Sequence, residues 1–179
     1  MNEYTVRSTY THAESAARRA ADIAVILIFC ALLVFVLFRF VLTPAVAESP
    51  AVNGFSEGEV LLVDRVSGFV IDYSVGDVVR AKIGGEYKLL RVAAKGGSTY
   101  LVRNGKAYLD GALIDESEYG GVWKRGADME TTVPEESLLL LPDDRAGVAS
   151  LEEQILQYDA VFGEVRFRVS PIKRAAFFY

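Results

Sequence analysis

Few side chains in this sequence can do polar chemistry, and they are scattered. There is one histidine, His12, and one cysteine, Cys30. His12 precedes the long apolar run, so a histidine-based dyad or triad in the region after that run is excluded by counting. A single cysteine rules out an intramolecular disulfide, and no Cys/His cluster has the spacing of a zinc site. Asp143-Asp144 could be read as a carboxylate pair for acid–base work or for a divalent cation. Arg145 follows directly, and neither a metal nor a cofactor is expected. With 19 Lys and Arg against 24 Asp and Glu, the net charge is -5. That balance disfavours a nucleic-acid partner. Trp123 and the aromatic run Phe177-Phe178-Tyr179 could touch lipid headgroups or a partner; core packing explains them equally well.

The elements that would position such groups begin with a membrane segment. Hydrophobic residues make up 51% of the chain, and the excess sits between Ile23 and Leu42. About twenty residues at 1.5 Å each span roughly 30 Å, the hydrocarbon thickness of a bilayer. Arg39 lies near the end, where its stem can snorkel, and Cys30 reads as an apolar filler. Arg18 and Arg19 favour a cytoplasmic N-terminus. This gives a cytoplasmic tail over 1–19, helical from His12 onward, and a single-pass anchor in the cell membrane over 20–43. The rest, 44–179, is an extracytoplasmic domain. Ala45-Val46-Ala47 looks like a signal-peptide cleavage site, but the apolar region exceeds the usual ~7–15 residues.

Short strands and frequent turns dominate the remainder. Val60–Val63, Val78-Val79, Tyr87–Ala94, Leu138–Leu141 and Glu164–Val169 read as strands. Thr99–Val102 and Ala107–Leu109 read as a hairpin turned by Asn104-Gly105, where positive φ is required. Ala112–Ile114 follows the Asp110-Gly111 turn. This density argues for an all-β barrel or sandwich. The charged stretch 115–129 reads as a surface excursion. Ala149–Tyr158 reads as a short helix, with Ser150 as cap and Glu153 three residues on.

The order of these features, with the anchor, resembles the bacterial type I signal peptidases. Gly76-Asp77-Val78-Val79 is similar to their Gly-Asp-hydrophobic-hydrophobic strand start. Arg91-Val92 with Gly96-Gly97-Ser98 resembles their Lys-Arg-Val-Ile-Gly-x-Pro-Gly-Asp segment. Asn104-Gly105-Lys106-Ala107-Tyr108-Leu109-Asp110-Gly111 resembles their Gly-Lys-x-Tyr hairpin. Val133-Pro134-Glu135-Glu136, then Leu141-Pro142-Asp143-Asp144-Arg145, resembles Val-Pro-Glu-Gly followed by Gly-Asp-Asn-Arg. Phe162-Gly163-Glu164-Val165-Arg166-Phe167-Arg168 looks like the closing Gly-Lys-x-x-Phe-Arg strand. Each motif alone is weak; the ordered set runs from about residue 23 to 174. The resemblance implies a signal-peptidase-like β-barrel after one transmembrane helix.

It also implies a Ser/Lys dyad, and here the sequence departs. Ala51-Val52-Asn53-Gly54-Phe55 stands where the family has Ser-Met-x-Pro-Thr, so Ala51 replaces the nucleophile. The family's lysine, just before Arg91, is Leu90. A methyl and an isobutyl group can neither attack a carbonyl nor accept a proton. Arg91, Asp143 and Arg145 survive as a remnant of the site, with Asp143 implied as the structural partner of Arg145. Ser49 and Lys88 each lie two residues away. A shift of two keeps the strand face but moves roughly 6–7 Å, and catalysis tolerates about 1 Å poorly. Ser49 therefore reads as a linker residue and Lys88 as solvated, with a displaced Ser49/Lys88 dyad as the alternative.

The implied protein is a non-catalytic, signal-peptidase-like factor that assists secreted or surface proteins. Inactive relatives of the family are associated with pilus assembly in Gram-positive bacteria, where they act with pilin subunits and a sortase. An active peptidase with a displaced dyad is the alternative; a membrane-bound relative of the self-cleaving repressors is weaker still. A peptide groove is expected along the Tyr87–Val92 strand, its wall formed by Ala51, Val52, Phe55 and Leu90.

Overall fold

The computed structural model describes residues 3–66, 72–121, 123–124 and 126–178. The chain divides into two compact units, Met1–Phe40 and Val41–Tyr179.

The first unit is helical. Helix α1 (Glu3–Val36) runs into a π-helical turn at Leu37–Val41, so the helix starts well before His12. The stretch Arg18–Val41 has a mean hydropathy of 3.0 and is long and apolar enough to cross a membrane. Among the described side chains, its leucines, its isoleucines and Phe29, Phe35 and Phe40 are exposed, which suits lipid rather than water. The segment ends earlier than expected. Leu42 and Thr43 are already extended, because the ring of Pro44 disfavours helical backbone in the residue before it.

The second unit is mostly β-sheet. Its strands are β1 (Leu42–Val46), β2 (Val60–Asp64), β3 (Val78–Ile83), β4 (Glu86–Lys95), β5 (Thr99–Arg103) and β6 (Lys106–Leu109). They continue with β7 (Ala112–Ile114), β8 (Met129–Thr132), β9 (Ser137–Leu141), β10 (Ile155–Gln157), β11 (Val161–Ser170) and β12 (Ala176–Phe177). One sheet has the order β1-β2-β11-β3-β4-β9-β10, with β12 added beside β11; the other has the order β7-β6-β5-β8. The described pairings are all antiparallel apart from one isolated bridge, Pro50 to Leu89, which is parallel.

Sequence explains the local choices. Asn104 and Gly105 both take positive φ, 52° and 74°, which matches the twist of the β5–β6 hairpin. Strand β9 is buried on both faces: Leu138 and Leu140 enter one apolar cluster, Leu139 and Leu141 another. Fully burying each leucine contributes about 1.5–3 kcal/mol. Gly163 lets β11 pass from β3 to β2, because a Cβ there would overlap the Asp64 carbonyl.

Two expectations are corrected. Ala149–Tyr158 is not a helix. It is a 3-10 turn at Glu152–Gln154, then β10, whose Ile155 and Leu156 pair with Leu139 and Leu138. Cross-strand pairing outweighs a weak capping signal, and the Ser150 hydroxyl bonds Glu152 instead, at 2.7 Å. The 115–129 stretch is not simply a surface excursion either. Trp123 is 4% exposed and joins the core, and Met129 opens β8. Val122 and Arg125 of that stretch, and Tyr179 of the aromatic run, lie outside the described residues.

Candidate functional site

The segment after β1 is fastened to β4 and to the residues after β9. Leu89 N donates to Ser49 O at 3.2 Å, and Ala51 N donates to Leu89 O at 3.1 Å. Asp143 N donates to Ala51 O at 2.8 Å. In a parallel pair the residues flanking the bridge are level with each other. Ala51 therefore stands beside Leu90, and Ser49 beside Lys88.

A bidentate ion pair anchors this join. Arg91 donates through Nε to Asp143 Oδ1 at 2.8 Å and through Nη2 to Oδ2 at 2.9 Å. Its Nη1 donates to Gly76 O at 2.8 Å, and its guanidinium lies 4.0 Å from the Tyr119 ring centre. Asp143 Oδ2 also accepts from Asn53 N at 2.8 Å, while Asn53 Nδ2 donates to Tyr119 O at 2.6 Å. Charge-assisted bonds of this kind fix geometry as well as contributing energy. The backbone of residues 51–53 is thus held at both ends by Asp143, which follows β9: its N–H bonds Ala51 O and its carboxylate bonds Asn53 N.

The Asp143–Arg145 pairing implied by the resemblance does not form. Asp144 caps the 3-10 turn Arg145–Gly147, accepting from Ala146 N at 3.0 Å. The turn carries Arg145 away from Asp143, and Arg145 Nη2 donates to Glu116 Oε1 at 2.7 Å. Glu116 also accepts from Tyr100 OH at 2.9 Å and from Trp123 Nε1 at 3.1 Å. Burial, and then the Glu116 charge, push the Tyr100 phenol above its usual range. The Asp143 and Asp144 carboxylates have separate partners and do not converge on one cation. Among the described residues no group of three or more His, Cys, Asp and Glu is placed to hold a metal ion.

Ala51 is half-buried and packs in the cluster of Leu90, Val79, Val92, Leu138 and Leu140. Leu90 is 3% exposed. Val52 and Phe55 belong to a different cluster, with Leu89, Val63, Val78 and Val165. The single wall of Ala51, Val52, Phe55 and Leu90 is thus corrected. Consecutive residues of an extended chain face opposite ways, so Ala51 and Leu90 share one face of the join while Val52, Phe55 and Leu89 share the other. The strand edge at Leu89 is also occupied, since both its N–H and its carbonyl are bonded to the 49–51 segment. Ser49 is exposed and Lys88 half-buried.

Sequence reasoning missed Asn53, Tyr119, Glu116 and Glu164. Glu164 is 3% exposed and lies 2.9 Å from Arg166. Burial, and then Asp77, push its carboxyl up to about 7. With Asp77, Val78, Arg91 and Phe178 it lines a cavity of about 230 Å³. The run Phe162–Arg168 signals a strand, but a charged residue facing inward leaves no mark in alternation.

No family model matches the chain, and no curated protein matches it.

Proposed function

We propose that this protein is a membrane-anchored, signal-peptidase-like factor that binds extended segments of secreted or surface proteins and does not cleave them. The observation that carries this reading is the packing of Ala51 against the apolar cluster that contains Leu90. These are the two positions where the resemblance implies nucleophile and base. Hydrocarbon there removes groups that would need polar partners when buried. The clamp of Arg91, Asp143 and Asn53 holds the backbone beside them.

The same architecture supports a barrel. The order β1-β2-β11-β3-β4 returns to its start where the continuation of β1 bridges from Pro50 to Leu89. Ahead of that bridge, β1 is an edge strand with β2 on one side only. A client's main chain can add to this free edge, with pockets selecting alternate side chains. Arg18 and Arg19 before the span support an N-terminus in the cytoplasm and the β unit outside, so a chain leaving the membrane meets this edge early. Pilin-like surface subunits are the client class the resemblance favours.

A second reading has one observation in its favour: the bridge sets Ser49 level with Lys88, as a displaced dyad needs. The test is a photoprobe at Ser49 in intact cells. Capture of a chain bearing a secretion signal or surface anchor, with none from a probe at exposed Leu113, is the expected result. Absence of capture at Ser49 removes the binding reading.

A further inference from the structure

The wall of the β unit has a gap where two strands share one neighbour. Strand β3 runs beside β11 as far as the pair of Val79 with Glu164. On the same side of β11, β12 takes over further on: Phe177 pairs with Phe167, and Phe178 N donates to Arg166 O at 2.9 Å. Between the start of β3 and the end of β12 lies the cavity of about 230 Å³. Val78, Val165, Phe177 and Phe178 give it apolar walls, and Asp77, Glu164 and Arg91 supply its charges. Those charges do not balance. Arg91 is already neutralised by its two bonds to Asp143. Glu164 is 3% exposed, yet among the described residues nothing donates a hydrogen bond to its carboxyl; its one ion pair is with Arg166, 36% exposed on its side chain. Asp77 Oδ2 accepts from Ser74 N at 2.7 Å, and among the described residues its Oδ1 has no donor. Asp64, paired with Glu164 across β2, adds a further negative charge. Buried carboxylates are normally hydrogen-bonded; this one is short of a donor and of a positive charge.

We propose that this cavity binds the protonated amino group of an alkylamine, a lysine side chain or a free amine, between Asp77 and Glu164. The proposal does not rest on the client-binding reading. An alkylammonium brings what is missing: a compact positive charge with three donors and no acceptor. Its methylene stem suits the walls of Val78 and Val165, and aromatic rings such as those of Phe177 and Phe178 attract a cation placed over their faces. The volume is below the roughly 300–1,000 Å³ of sites that take drug-sized ligands, so the occupant is one side chain or a small molecule. A divalent metal needs about six oxygen ligands, and among the described residues no group of three His, Cys, Asp and Glu is placed to hold one. Burial, and then Asp77, hold the empty Glu164 carboxyl at about 7, with Arg166 opposing and Asp64 adding to the rise. Tyr73, which also faces Glu164, is pushed up to about 12 and stays neutral in this range. The ligand's amine stays charged up to about pH 10. Binding therefore strengthens as Glu164 ionises, by about tenfold from pH 6 to pH 8.

The test is calorimetric titration of the full-length protein in a maltoside detergent. The probes are an N-acetylated glycine peptide with one central lysine, the same peptide with norleucine in its place, and pentane-1,5-diamine. The expected result is saturable binding of an amine probe at pH 8, none of the norleucine peptide, and about tenfold weaker binding at pH 6. Glu164→Gln and Asp77→Asn should each weaken binding about tenfold or more, the loss expected for one charge-assisted contact. Asn at 77 keeps an acceptor for Ser74 N, and native emission from buried Trp123 shows that each variant is folded. The pH comparison is read on the parent protein, so it decides even where a variant does not fold. Binding of the lysine peptide without the diamine assigns the site to a polypeptide's lysine, and the reverse assigns it to a free amine. Failure of both amines to bind overturns the proposal. Equal binding of the norleucine peptide overturns it too, as apolar adsorption, and so does amine binding that keeps full strength in both folded variants or at pH 6.

Discussion

Removing the Asp143 carboxylate probes the join directly. Asp143 is 1% exposed on its side chain and Arg91 11%. Asp143→Ala deletes two charge-assisted bonds from Arg91 and one from Asn53 N. Arg91 keeps its bond to Gly76 O and its contact with the Tyr119 ring, so its charge stays in place without a counter-ion. Breaking a buried pair by removing one partner costs about 3–5 kcal/mol. Replacing Arg91 by Met in the same chain removes the stranded charge and returns part of that loss. The cycle of Asp143→Ala, Arg91→Met and the double variant therefore gives a coupling of about 2–3 kcal/mol. The assay is urea unfolding of the full-length protein in detergent, followed by the buried Trp123. Amide exchange at Asn53 should quicken in Asp143→Ala. A coupling below about 0.5 kcal/mol, the size of an exposed pair, would refute the clamp.

Two further substitutions address the buried carboxylates. Glu164 has its pKa raised by burial to about 7, so between its unfolded value and 7 the folded state binds the extra proton. Its contribution to stability is fully present below the unfolded pKa and is lost as pH rises through about 7. Glu164→Gln should therefore flatten the fall in stability between pH 5 and 8, gaining on the order of 1–3 kcal/mol relative to the parent at pH 8; unchanged pH dependence in urea melts would contradict this. Glu116→Gln leaves Arg145, whose side chain is 0% exposed, without its counter-charge. A loss of about 3–5 kcal/mol is expected, against at most 1 if Arg145 reached solvent.

Much of the fold was legible because its signals are local. Asn104-Gly105 names its own turn, and the run Leu138–Leu141 can be buried on both faces only as an inner strand. The 149–158 segment misled for the opposite reason: its cap signal is local, while the pairing of Ile155 and Leu156 with β9 is not. The site followed the same rule. Ala51 and Leu90, singled out by motif order, are set level by the bridge from Pro50 to Leu89 and pack in one apolar cluster. The partner of Asp143 was misassigned to its near neighbour Arg145. The true partner, Arg91, is 52 residues away and becomes visible only once β4 and β9 pair. Glu116 was hidden inside a charged stretch, where nothing in composition separates a buried carboxylate from a solvated one.

The central claim is binding without cleavage, and one gel reads both. The full-length protein in vesicles is incubated with a labelled preprotein carrying a photoprobe at the end of its signal peptide, then irradiated. The account requires an adduct containing intact preprotein, mapped to β1 and the segment that continues it to Ser49, and no mature product. Mature product that forms with the parent protein and disappears with Lys88→Ala would contradict the account in favour of the displaced dyad. An intact preprotein with no adduct would contradict it in the other direction, leaving the join without a ligand.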